Sequence, residues 1–320
     1  MQNNLARKLN FFPEEEKLQK EVINSLSKTQ KELSCKFFYD EYGSKLFDQI
    51  VDLEEYYLTR TEHLIMTEHI DEISDFIGER CVLVEPGSGS SNKVRLLLDN
   101  LKNTSAYIPI DISDYYLAES ASRLSLIYPG INIIPIIADY TQPFNLPDFK
   151  FEYENIVIYY PGSTIGNFKP DDARQFLKRL NDMCNRDNKL LIGIDLKKNK
   201  DIIERAYNDK EGITKKFNLN ILNNLNNKIG SDFNINKWEH VAFYNEKEGR
   251  IEMHLKSLEN QDVRINGCFI NFKKGETVHT ENSYKYSIDQ FSDLVSEFYD
   301  LEKYWVDKDK KFGILLFNSL

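Results

Sequence analysis

Cys81-Val82-Leu83-Val84-Glu85-Pro86-Gly87-Ser88-Gly89-Ser90-Ser91-Asn92-Lys93 is the stretch whose reading decides the fold. A hydrophobic run ends in an acid, breaks into small residues, and leads into Val94, Leu97, Leu98 and Leu101, which recur at helical spacing. The run 82–84 reads as a buried parallel strand, and Ser90 or Ser91 as the cap of the following helix. Strand, glycine loop and helix in that order have the shape of a nucleotide-cofactor loop, although an ordinary Gly-rich turn has the same composition.

What the loop lacks narrows the cofactor. Asn92 replaces the third glycine of the dinucleotide pattern, and no Gly-Lys-Ser/Thr ending is present to wrap a triphosphate. Glu85 suits a cofactor that brings an ammonium group, as S-adenosylmethionine does, better than one that brings phosphate. The run 106–111 ends in Asp111, placed where a Rossmann-like sheet puts the carboxylate for ribose hydroxyls. The run 133–138 ends in Asp139-Tyr140, an acid for an adenine amine and an aromatic for its ring. Each acid alone is more often a helix cap or a solvated loop residue. Three at the ends of three successive apolar strands match the rule that open α/β sheets bind ligands at the carboxyl ends of their strands.

A chain of 320 residues, 41% hydrophobic and 12% aromatic, has ample material for one large or two ordinary domains. A net charge of -10 argues against a nucleic-acid substrate, which wants clustered Lys and Arg. Cys35, Cys81, Cys184 and Cys268 form no CxxC, and the five histidines show no metal-ligand pairing, so a reduced, metal-free, cytoplasmic protein is expected. Residues 1–16 have no apolar core and no apolar stretch approaches eighteen residues, so neither export nor membrane insertion is expected.

Strand and helix patterns alternate over about 61–196, with 155–160 as the fourth strand and 190–196 as the fifth. The spacing over 197–225 is helical and overlaps an Asn-rich stretch, 218–236, whose apolar residues predict a helix with polar flanks. Segments 240–244, 250–258 and 262–272 alternate as antiparallel strands, with turns at 246–249 and 258–261. A helix near 288–299 and strands 301–306 and 312–317 then return to close the main sheet as an antiparallel hairpin.

The fourth strand runs into Pro161-Gly162-Ser163-Thr164-Ile165-Gly166-Asn167-Phe168, and here the sequence resembles the histidine Nα-methyltransferase family of ergothioneine biosynthesis. The likeness extends through the segments 38–44, 46–50, 55–62, 85–93, 206–209, 250–253 and 281–283. It implies a Rossmann-like class I methyltransferase α/β sheet with an inserted α+β substrate-binding domain. The expected division is 1–60 for the amino-terminal part of the substrate domain, 61–196 for the methyltransferase domain, 197–285 for the insertion, and 286–320 for the closing hairpin. The cofactor implied is S-adenosylmethionine, and the reaction is trimethylation of the α-amino group of L-histidine to hercynine by a monomer. The alternatives are a methyltransferase of the same fold acting on another amino acid or small amine, and a non-catalytic protein that binds the cofactor.

Carried over residue by residue, the resemblance makes Asn167 the group that binds and aims the substrate amine. Tyr56 and Tyr207 hold the carboxylate, Tyr39 lies where substrate and cofactor meet, and Met253 forms a pocket wall. Glu281 and Ser283, two apart in an extended segment, point to one side and grip the two ring nitrogens. On the cofactor side stand Glu85, Gly87, Ser88, Gly89, Lys93, Asp111, Asp139 and Tyr140, with Pro86 stiffening the loop. No histidine or carboxylate in these motifs is an obvious base, so water or a tyrosine hydroxyl is expected to take the amine proton, with activity rising above neutral pH.

Overall fold

The computed structural model describes residues 15–89, 93–112, 114–184 and 187–320. Ser90 and Ser91, read as helix caps, lie outside the described residues, as do positions 1–14. The main sheet runs in the order Tyr299–Val306, Phe312–Ser319, Asn188–Asp195, Asn155–Tyr160, Cys81–Pro86, Ala106–Asp111, then the short pieces Asn132–Ile133 and Ile136–Ile137. All neighbours pair in parallel except the last hairpin, which turns back and places Phe312 opposite Asp195.

The four central strands are buried nearly end to end, as parallel strands covered on both faces must be. Alternate side chains feed two cores. Val82, Val84, Ile108, Ile158 and Ile192 meet Phe176, Leu180 and Phe291 on one face, while Leu83, Tyr107, Val157 and Leu191 meet Ile65, Ile73 and Leu97 on the other.

Several sequence expectations are corrected. The stretch 133–138 is two short pieces, because Pro135 lacks the N–H that a continuous ladder needs. The helix after the glycine loop is Arg95–Asn100, with Val94 at its cap position. The helical region after 196 is broken into Lys200–Tyr207 and Ile213–Ile229, and Asp209 accepts from the backbone N–H groups of Ile213 and Thr214 at the second start. The stretch 262–272 is itself a hairpin, Gln261–Ile265 against Cys268–Phe272, turning at Asn266-Gly267 with φ of 47° and 81°. That dipeptide is the standard two-residue hairpin signal, and it lay legible in the sequence.

A second, four-stranded sheet orders Lys31–Glu32, Thr277–Tyr284, Arg250–Ser257 and Trp238–Asn245. Its strand Thr277–Tyr284 carries a bulge: His279 faces His254 and Glu281 faces Met253, with Thr280 as the extra residue. In a regular strand His279 and Glu281 would share a side. The bulge separates them, so that Glu281 and Ser283 line a cavity and His279 stacks with His254.

Against this sheet lies the helix Ile213–Ile229, and its asparagines are not polar flanks. Asn218, Asn220 and Asn224 are buried. Asn218 donates to the His254 carbonyl and accepts from Thr280, Asn220 donates to Asp40, and Asn224 donates to the Phe37 carbonyl at 2.7 Å. Each satisfies backbone or side chains that the sheet and the amino-terminal segment leave unpaired. Among the described residues, no helix is long and apolar enough to cross a membrane. Asn224→Ala would orphan the Phe37 carbonyl and is expected to cost about 1–3 kcal/mol, read as a lower urea midpoint at unchanged m-value.

Candidate active site

The carboxyl ends of Cys81–Pro86 and Ala106–Asp111 bring together most of the residues assigned to the cofactor. Gly89 donates its backbone N–H to the Asp111 carboxylate at 3.0 Å, so the loop and this strand-end acid are already tied to each other. Gly87 and Gly89 have φ of 72° and 50°, a region that favours glycine, and a Cβ on Gly87 would sit 3.0 Å from the Tyr140 hydroxyl. Ser88 is buried and, among the described residues, its Oγ has no hydrogen-bond partner, an orphaned polar atom inside the loop that a bound ligand would satisfy. Glu85 is buried and accepts from the Tyr107 hydroxyl, and burial pushes its carboxyl up to about 8. A ligand ammonium beside it would restore the charged form. Asp139 accepts from the backbone and the hydroxyl of Thr141, and Tyr140 packs among Gly87, Tyr160 and Phe176. Lys93 is held by Glu62 at 2.6 Å, and its ammonium lies 2.9 Å from where a Cβ on Gly162 would be.

Glu62 carried no role in the sequence reading. It is buried, and its second oxygen accepts from the Gly162 N–H at 2.6 Å, so one carboxylate fastens the cofactor loop's lysine to the 161–167 loop. Its place in the segment 55–62 was the available signal.

Every residue assigned to the substrate lines one cavity: Tyr39, Tyr56, Asn167, Tyr207, Met253, Glu281 and Ser283. Phe47, Leu58, Thr164 and Phe217 also line it; the first three sit in the segments 46–50, 55–62 and 161–168, which were the available signal, whereas nothing local distinguishes Phe217 from a core residue. Tyr39 keeps 43% exposure because its ring faces this space. Burial holds the hydroxyls of Tyr39, Tyr56 and Tyr207 well above the usual tyrosine value. Burial also pushes the Glu281 carboxyl up to about 8, against the opposing pull of Lys285.

Beneath the cavity lies a buried ion cluster. Asp195, at the end of the fifth parallel strand, pairs with Lys285 at 2.7 Å and Lys198 at 2.5 Å, and accepts from the Tyr57 hydroxyl. The two ammonium groups depress its carboxyl below the ordinary range despite burial. The position of Asp195 at a strand's carboxyl end is the rule that marked Glu85 and Asp111, and it would have marked this acid too.

On the other side of the second sheet, Glu252, His254 and His279 bring their ligand-type atoms within 4.8 Å of one another. Sequence spacing could not pair residues 25 apart. The two imidazoles stack at 4.7 Å and 13°, so their in-plane lone pairs run side by side and do not converge. Glu252 is already occupied by Arg250, Asn245 and His254. His279 bonds the Glu281 carbonyl, which accepts, so its Nε2 carries the proton.

The strand order, with its antiparallel last strand, and the loop at the carboxyl ends define a class I S-adenosylmethionine-dependent methyltransferase. The model of a family described as histidine-specific, S-adenosylmethionine-dependent methyltransferases matches residues 18–319, and the chain belongs to that family. It is 36% identical over 307 residues to a histidine N-alpha-methyltransferase of Mycolicibacterium smegmatis, covering 94% of each chain. It is 34% identical over 305 residues to the protein of that name from Mycobacterium tuberculosis, covering 93% of this chain and 94% of that one. To the ergothioneine biosynthesis protein 1 of Neurospora crassa it is 33% identical over 276 residues, covering 83% of this chain and 31% of that longer protein. The protein is thus an S-adenosylmethionine-dependent N-methyltransferase.

Two predictions follow from this geometry. Gly87→Ala places a Cβ against Tyr140 at a φ of 72°, and is expected to weaken S-adenosylhomocysteine binding at least tenfold in calorimetric titration. Burial, reinforced by its stacked partner His254, pushes His279 down to about 4. It is therefore neutral in the folded protein and takes up a proton more readily when unfolded. Its stability contribution is complete above about pH 6.5 and declines as pH falls toward 4, by up to about 3 kcal/mol. Urea midpoints at pH 7.5 and 5.0 measure this, and His279→Gln should flatten the difference.

Proposed function

We propose that the protein transfers three methyl groups from S-adenosylmethionine to the α-amino group of L-histidine, giving hercynine, the first step of an ergothioneine-type pathway. The observation that carries this reading is the one cavity in which Glu281 and Ser283, neighbours on one strand face, share walls with Tyr39, Tyr56, Asn167 and Tyr207. A carboxylate and a hydroxyl at that spacing grip the two nitrogens of an imidazole. A ring lacking either leaves a buried polar group unpaired, a penalty of up to about 10⁴ to 10⁵ in discrimination.

S-adenosylmethionine, when bound, supplies the electrophilic methyl group. Glu85 would face its ammonium, Asp111 its ribose hydroxyls and Asp139 its adenine amine, with Ser88 and Gly89, whose N–H is tied to Asp111, lining the loop and Lys93, paired with Glu62, bracing it. The side-chain carbonyl of Asn167 accepts from the substrate amine and aims its lone pair. Tyr56, kept neutral by burial, donates to the substrate carboxylate, while Tyr207, whose one hydroxyl hydrogen goes to Ser283 at 2.8 Å, lines the same cavity and positions that serine. Met253 closes the wall, and Tyr39 stands between the two ligands.

Buried cavity tyrosines, their hydroxyls held above the usual value, stay neutral and are weak bases, so we assign the amine proton to water. The rate then rises above neutral pH. Holding nitrogen and methyl carbon near 3 to 3.5 Å supplies roughly 7 to 11 kcal/mol of the barrier. Residues 61–196 and 286–320 act as the cofactor part, and 1–60 with 197–285 as the substrate part. We place the protein in the cytoplasm, on its four scattered, unbridged cysteines, and as a monomer.

Mass spectrometry of products from purified protein, S-adenosylmethionine and an equimolar mixture of the common L-amino acids tests the reading. Trimethylated histidine alone is the expected product, and methylation of a different amino acid overturns the pocket assignment. Asn167→Ala should bind S-adenosylhomocysteine normally and lose at least 100-fold in turnover.

A further inference from the structure

Lys285 belongs to none of the motifs above, yet its ammonium is fully buried under the floor of the cavity. It lies 2.7 Å from the Ser283 hydroxyl, 2.7 Å from Asp195 and 3.5 Å from the Tyr207 hydroxyl, and 5.2 Å above the centre of the Tyr207 ring. A buried ion pair of this kind is weak evidence for stability, because desolvation opposes it. Asp195 would in any case retain Lys198 and Tyr57.

The hydrogen-bond accounting points elsewhere. An ammonium has three hydrogens and no lone pair, so Ser283 must accept from Lys285. Tyr207, the more acidic of the two hydroxyls, donates to Ser283 at 2.8 Å. Both lone pairs of Ser283 are then used, and its single hydrogen is left for the cavity. Such a hydroxyl can only donate, and the ring nitrogen it meets must carry a lone pair. Glu281 must then be the acceptor for the ring N–H, a role its protonated form fills less strongly than its ionised carboxylate. Lys285 is the cation that favours that state, while the groups facing Glu281 from the packed elements, Tyr39, Tyr56, Tyr207 and Cys35, are neutral.

Without Lys285, Ser283 regains an accepting lone pair and its hydroxyl is no longer held toward the cavity, so the opposite arrangement, a protonated Glu281 donating and Ser283 accepting, opens as a competitor. The Glu281 and Ser283 pair alone does not set the direction.

We propose that Lys285 is a specificity-determining positioning residue that fixes the direction of both ring hydrogen bonds, so that the cavity takes a neutral imidazole in one tautomer and excludes an imidazolium. The proposal rests on Glu281 and Ser283 gripping the substrate ring.

Calorimetric titration of L-histidine into protein saturated with S-adenosylhomocysteine tests it, using wild type, Lys285→Met, Ser283→Ala and the double variant. At pH 7.5 Lys285→Met should weaken histidine binding at least tenfold, and should add less than threefold in the Ser283→Ala background, because Lys285 acts through that hydroxyl. The ratio of mutant to wild-type Kd should also fall about tenfold between pH 7.5 and 5.5, as free imidazole, with a pKa near 6.5, protonates and only the variant accepts it. Effects of the two substitutions that simply add, or a ratio that does not change with pH, overturn the proposal. If Ser283→Ala alone leaves histidine affinity unchanged, the ring-grip reading fails and takes this one with it. Should Lys285→Met not fold, Lys285→Leu, which likewise removes the donor to Ser283, is measured in the same way, with the same pH ratio deciding.

Discussion

A single carboxylate holds the two sheets in register. Asp195 closes the fifth parallel strand of the main sheet, and the ammonium it grips at 2.7 Å belongs to Lys285, just beyond the last strand of the second. Around it the backbone N–H of Tyr286 donates to the Asp195 carbonyl, that of Lys197 donates to Tyr286, and the N–H of Asp195 donates to Ser163. Three segments therefore meet at one residue: the strand end, the 161–167 loop and the approach to the closing helix. Breaking a buried pair by removing one partner costs about 3–5 kcal/mol, far more than such a pair contributes over an apolar substitute. That asymmetry suits a joint whose position matters more than its strength.

The cavity inherits its shape from this joint. Ser283 and Glu281 stand two and four positions before Lys285 on one strand, so any shift of the ammonium moves the hydroxyl and the carboxylate with it. The bulge at Thr280 supplies the other constraint. It turns Glu281 inward and leaves His279 outward, where its ring stacks on His254 and its Nε2 bonds the Glu281 carbonyl. Thr280 itself is fixed by Asn218 on the helix behind it. The buried asparagines of that helix thus fasten the pocket strand at Thr280 and the amino-terminal segment at Asp40 and Phe37, the segment that carries Tyr39.

Much of this was legible in the chain. The strands ending in Glu85 and Asp111 were found where apolar runs stop at acids, because a parallel strand buried on both faces leaves an unbroken hydrophobic signature. The substrate residues were reached through flanking motifs, and they do share one cavity. The asparagine-rich stretch was misread as polar flanks because an asparagine that caps a loop and one that feeds a buried carbonyl look alike until the carbonyl is placed. Pro135 and Asn266-Gly267 were open to reading by local rules alone, and both interrupt elements that had been drawn as continuous.

By itself the sequence determined most element types and the composition of the glycine loop, since these rest on local periodicity and on residues close together in the chain, while the strand order of the main sheet is a matter of tertiary pairing. The tertiary structure alone decided which charges meet. Asp195, Lys198, Tyr57 and Lys285 span 228 positions, and Glu252, His254 and His279 converge only through antiparallel pairing and a bulge. Burial made the difference: an ammonium or carboxylate removed from water must find its partner within a few ångströms, and nothing in a local window specifies which distant residue folding will bring to it.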